Sequence, residues 1–209
     1  MTAPRLFPNS YISTIVQDVL DVCQNLTTPP KNAKRPEEHV SKQLYRLLLR
    51  NPRYQDGPLE PHFESWLPDL SNRPDIRFSC GQGVYTYFLF EAKRLFVTFP
   101  RGKKDSLIPE YIEQGMMRFV AGRYAPDLHA GAMLGYVFMA VLAEAREKVQ
   151  DAVSSHSSKL CLVTPMQASA LPVTPQVDES LHTVKGKPFT LYHLLVPVSA
   201  NRGKRPCPH

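Results

Sequence analysis

Two runs rich in β-forming residues, Pro74 to Cys80 and Val84 to Phe96, are separated only by Gly81-Gln82-Gly83, and no other stretch restricts the fold so closely. Runs of this kind joined through glycine read as a β-hairpin. A turn centred on Gly83 pairs residues whose numbers sum to 166, which sets Asp75 opposite Glu91. Side chains alternate faces along a strand, so Glu91 and Lys93 project to one side while Phe90 and Ala92 point into the opposite layer. Directly opposed side chains lie about 5 Å apart at Cβ. Two ionised carboxylates at that spacing repel unless a positive charge sits between them.

The rest of the chain supplies the layers around this hairpin. Tyr11 to Leu26 carries Ile12, Ile15, Val16, Val19, Leu20 and Cys23 at helical spacing, with Asn9 or Ser10 placed to cap it. Pro36 opens a second helix that runs to about Arg50, where Asn51-Pro52 stops it; its core stripe is Val40, Leu44, Leu47 and Leu48. A short strand is expected at His62 to Leu67, a helix at about Pro109 to Gly122, a strand at Ala132 to Phe138 and a helix at Met139 to Val153. Strands at Lys159 to Val163 and Phe189 to Val198 complete the set, with a proline- and Ser/Thr-rich excursion between them. This order implies an α/β fold, helices flanking a central mixed β-sheet. One domain over residues 1–200 is expected, its core about 36–163 plus the strand 189–198, followed by a disordered basic tail at 201–209.

Composition narrows the function classes. At 209 residues, 43% hydrophobic and 21% charged, the chain is long enough and apolar enough to bury a core without staples. The longest apolar run, Gly131 to Ala143, falls short of the roughly 20 residues a spanning helix needs, so no membrane partner is expected. The N-terminus shows no secretory pattern, and Cys23, Cys80, Cys161 and Cys207 form no close pair; a cytoplasmic location with reduced thiols follows. A net charge of +6 favours polyanionic partners.

The chemistry rests on Arg73-Pro74-Asp75-Ile76 and on Phe90-Glu91-Ala92-Lys93-Arg94, whose charges interrupt a strongly apolar strand at one face. Hard oxygen donors without His or Cys suit Mg²⁺ or Mn²⁺. Such an ion lowers the pKa of a bound water and steadies charge developing on phosphate, and Lys93 is placed to orient the water or stabilise the transition state. His39, His129 and His193 have no metal-ligand spacing, and Gly81-Gln82-Gly83 lacks the helix and third glycine of a phosphate loop.

Pro74-Asp75 with Glu91-Ala92-Lys93 resembles the PD-(D/E)XK nuclease superfamily, whose fold is restriction-endonuclease-like. The resemblance covers roughly Pro36 to Tyr124. It implies a metal-dependent nuclease, with DNA favoured over RNA, an association with defence against foreign DNA, and a companion subunit or second copy as partner. Asp75, Glu91 and Ala92 are the implied metal residues, joined by an acid on the preceding helix. Glu37 falls within that helix's apolar stripe and Glu38 outside it, which makes Glu37 the first choice and Glu38 the reserve. Gln114, on the helix after the catalytic strand, is the implied residue holding Lys93 or a water. Lys103 and Lys104 in the basic loop, with Arg118 and Lys42, are the candidate nucleic-acid contacts. Two other readings stay open: a surface cross-strand ion pair, and a silent nuclease-like scaffold that binds nucleic acid or a partner protein.

Overall fold

Residues 7–30, 33–64, 73–81, 87–99, 102–124 and 128–199 are described by a computed structural model. The turn about Gly83, the C-terminal part of the strand expected at His62 to Leu67, and the basic tail lie outside these residues. Helices α1 (Asn9–Cys23) and α2 (Pro36–Leu48) come first, followed by a 3-10 turn (Pro52–Tyr54) and strands β1 (Leu59–Phe63), β2 (Ile76–Cys80) and β3 (Tyr87–Leu95). The expected cap of α1 is not made: Pro8 occupies the capping position, and no side chain accepts from the first turn. Pro36 does open α2, where its missing N–H costs nothing.

A short ribbon, β4 (Val97–Thr98) with β5 (Lys104–Asp105), lies where a basic loop was expected. The helix after it is broken into three pieces: α3 (Ile108–Glu110), a π-helical segment (Tyr111–Met116) and α4 (Met117–Val120). Then come β6 (Ala130–Val137), α5 (Leu142–Ser155), β7 (Leu162–Ala168), β8 (Asp178–Val184) and β9 (Lys187–Pro197).

The seven-stranded sheet has the order β1-β2-β3-β6-β9-β8-β7. The central strands β3, β6 and β9 pair in parallel and the outer pairs are antiparallel, so the sheet is mixed. Parallel strands require helices over both faces, and β6 is buried at every position. Alternation along β3 divides the core between two layers. Phe88, Phe90 and Ala92 pack with α1 and α2, whereas Tyr87, Leu89 and Leu95 pack with the π-helical segment, α4 and α5.

The register of the hairpin matches the sequence-based expectation, Ile76 facing Phe90 and Arg77 facing Leu89. The C-terminal third departs from it. The strand expected at Lys159 to Val163 starts later, as β7, and runs into the expected excursion, which also contains β8; β8 joins β9 through Lys185-Gly186, both at positive φ (50° and 77°), as a right-handed twist demands of a two-residue turn.

Candidate functional site

The site lies where the pairing of β2 with β3 ends, while β3 continues beside β6. Asp75, at the mouth of β2, directs its carboxylate across the hairpin, and its Oδ2 accepts the Ala92 N–H at 2.7 Å. Asp75 is half-buried and Glu91 fully buried. Lys93, two residues on and on the same face, donates from Nζ to Glu91 Oε1 at 2.6 Å and to the Ala92 carbonyl at 2.8 Å. Its ammonium also lies 3.5 Å from Glu37 Oε1. Glu37 comes from the first turn of α2, and its Oε2 accepts the Arg94 N–H at 3.0 Å, which ties the start of the helix to the end of the strand. Glu38 instead pairs with Arg35 at 3.1 Å.

The helical layer closes the site from the other side. Arg118 on α4 donates to Glu91 Oε1 at 2.5 Å, and the Tyr124 hydroxyl donates to Glu91 Oε2. Both Glu91 oxygens are therefore engaged, as a buried carboxylate must be. The π-helical segment brings the backbone close to Lys93: a Cβ on Gly115 would lie 3.5 Å from Lys93 Cγ and 2.3 Å from Met133 Cε. Such π turns recur at functional sites, where the widened helix re-aims neighbouring groups.

Charge accumulates here. Burial, then the charge of Glu91 and that of Glu37, push the Asp75 carboxyl well above the usual carboxylate range, against the opposing effects of Lys93 and the Ala92 N–H. Burial alone would lower the Lys93 ammonium, but Glu91, Glu37 and Asp75 outweigh it and raise its pKa. Burial and the neighbouring Glu91 also raise the Tyr124 phenol, which stays a neutral donor.

Asp75, Lys93, Glu37, Gln114 and Arg118 all line one open cleft of about 470 Å³. Gln114 is exposed at its rim and makes no hydrogen bond to Lys93. Three of the four expected nucleic-acid contacts are not in the lining: Lys42 sits over the Phe63 ring, Lys103 lies 3.8 Å from Asp105, and Lys104 lines a separate hollow beside Phe96 and Met139. Arg118 does line the cleft, but its guanidinium is turned onto Glu91. The sequence reading missed Tyr124, whose aromatic character reads as core, and the cleft cations Lys34 and Arg94. The Glu91-x-Lys93 pattern, continued one step to Arg94, is the signal that points to the last of these.

The donor chemistry suits a divalent cation. Glu37 Oε1, Glu91 Oε1 and the Ala92 carbonyl all lie within 3.5 Å of the Lys93 ammonium, which stands as a cation inside an oxygen cage. Among the described residues, no three His, Cys, Asp or Glu side chains form a complete ligand set. That is the usual situation for Mg²⁺, which takes one or two carboxylates and leaves the remaining positions to water and phosphate.

Comparison with protein-family models, curated proteins and solved structures returned no match for this chain. Among the described residues no helix is long and apolar enough to cross a membrane.

Proposed function

We propose that this protein is a metal-dependent nuclease of restriction-endonuclease-like fold, hydrolysing phosphodiester bonds of nucleic acid, DNA before RNA. One observation carries the reading. Glu91 on β3, Glu37 on α2 and the Ala92 carbonyl converge on the Lys93 ammonium in an open cleft, and Asp75, just before β2, is bound beside them to the Ala92 N–H.

Asp75, Glu91 and the Ala92 carbonyl would hold Mg²⁺ or Mn²⁺, with Glu37 at the outer edge. The ion supplies a water of lowered pKa and positive charge beside the phosphate. The protein supplies position and field. Lys93, charged and dry, offers an ammonium to the attacking water or to the oxygens on which charge develops, an arrangement worth more at a buried site than in solvent. Gln114 at the rim is within the same cleft for orienting a water. Arg118 and Tyr124 hold Glu91 from behind, so its carboxylate enters the site in one orientation.

Incubation with end-labelled DNA and RNA tests the reading. Cleavage is expected in Mg²⁺ or Mn²⁺, lost in EDTA, and abolished in folded Asp75→Ala, Glu91→Ala and Lys93→Ala proteins. Full activity in Lys93→Ala removes the mechanism. A silent binding scaffold is the second reading, and one observation favours it: Lys93, Arg118 and Tyr124 already satisfy Glu91. Oligonucleotide binding without cleavage under every metal condition would select it.

A further inference from the structure

Most charges lining the cleft are spent on one another. Arg35 pairs with Glu38, Lys93 with Glu37 and Glu91, Arg118 with Glu91, and Glu64 lies 3.9 Å from Arg73. Two cations, Lys34 and Arg94, and one acid, Glu110, are left over in the lining. The Arg94 guanidinium and the Lys34 ammonium line the cleft without a hydrogen-bond or ion-pair partner among the described residues, Arg94 half-buried and Lys34 exposed. Backbone geometry fixes one of them: the Arg94 N–H is held by Glu37, so its side chain leaves from the strand end beside the carboxylate cluster.

An aromatic ring faces the same space. Phe99 follows β4 on a tight turn, its N–H donating to the Lys103 carbonyl and its own carbonyl accepting from Gly102. It lines a strongly polar cleft, half-exposed and, among the described residues, stacked on no other ring. Free cations that can take backbone phosphates, together with an aromatic face that can take a base, are the elements of single-strand recognition. A cleft of about 470 Å³ falls within the size range of ligand pockets.

We infer that this cleft binds single-stranded polynucleotide, with Lys34 and Arg94 on backbone phosphates and Phe99 stacked on an unpaired base. This names the substrate class for the reading above and rests on it only for cleavage, since binding by these three residues needs no catalysis.

Fluorescence anisotropy in EDTA, with a fluorescein-labelled oligo(dT) strand and a matched duplex, tests the inference without cutting. The wild type should bind oligo(dT) more tightly than the duplex. Phe99→Ala should weaken oligo(dT) binding roughly five-fold or more and leave duplex binding unchanged, as loss of a stacked base requires. The double variant Lys34→Ala/Arg94→Ala should weaken binding and flatten its salt dependence, since fewer counterions are released. In a Trp66→Phe background, which removes the native indole, Phe99→Trp should preserve affinity and show its indole fluorescence quenched by oligo(dT). Wild-type affinity and salt slope in both alanine proteins, or an unquenched indole in the Trp variant, overturns the inference. Cleavage of duplex DNA by the same alanine proteins at full rate would leave the nuclease reading standing; Phe99-dependent binding with no cleavage in any metal would do the reverse.

Discussion

Glu91 accepts from three donors, Lys93, Arg118 and Tyr124, at a position fully withdrawn from solvent. Breaking a buried pair by removing one partner leaves the other uncompensated, which typically costs more than the pair contributes. Arg118→Leu should therefore lower stability by about 3 kcal/mol, and Tyr124→Phe by about 1 to 2 kcal/mol, both measured by urea denaturation. Equal, negligible losses would mean that Glu91 is not held from behind. Asp75 behaves in the opposite way. Its folded pKa is raised, so between the ordinary carboxyl value of 3.8 and that folded value the native state keeps a proton the unfolded chain releases. Stability is thus lost as pH rises through this window. Asp75→Asn keeps an acceptor for the Ala92 N–H and removes the repulsion from Glu91 and Glu37. In EDTA it should raise the thermal midpoint at neutral pH, with the gain shrinking as pH falls through this window and absent below about pH 4, while cleavage disappears. A lower midpoint at pH 7 would contradict this account of the charge balance.

Among the elements, β8 is where the sequence misled and where the structure explains why. Its buried face carries Asp178, Ser180 and His182 instead of aliphatics, so the alternation that marks a strand is written in polar letters. Asp178 pairs with Arg146, and Ser180 and His182 join β9 through a directed chain. His182 Nδ1 must donate to the Leu160 carbonyl, so its Nε2 accepts from Ser180; Ser180 then accepts from His193 Nε2–H, and His193 Nδ1 accepts from the Tyr111 hydroxyl. Every member is neutral and satisfied, and the chain reaches from β8 to the π-helical segment behind the site. Ser180→Ala cuts the chain in the middle and leaves two imidazole nitrogens unpaired, so it should cost more than Tyr111→Phe, which strands one at about 1 to 3 kcal/mol. Burial and the neighbouring His182 lower the His193 pKa to about 3. Its depressed value contributes stability present above the unfolded pKa of about 6.5 and lost as pH falls from there toward about 3. NMR should find His193 as the neutral Nε2–H tautomer at pH 5; titration near its ordinary value would refute the chain. The register of the hairpin, by contrast, was legible in the sequence, because strand alternation is local. The π segment was not, since a helical apolar pattern survives one widened turn.

Over the whole molecule, what could be read from sequence was the layer order and the register, Ile76 facing Phe90, that brings Asp75 near Glu91; what could not was anything that depends on distant elements meeting. Arg118 was assigned to a phosphate because its charge was visible and its partner was not. Lys42, Lys103 and Lys104 shared that fate, being placed by charge alone, whereas the cleft cations Lys34 and Arg94 acquire meaning only once α2 docks on the end of β3. The account as a whole requires that the oxygens now gathered around the Lys93 ammonium accept a divalent ion. A crystal soaked in Mn²⁺ and measured for anomalous scattering tests this most directly. We expect a peak contacted by the Asp75 and Glu91 carboxylates and the Ala92 carbonyl, with the Lys93 ammonium moved aside. A map without that peak, with Glu91 still closed by Lys93, Arg118 and Tyr124, would contradict it.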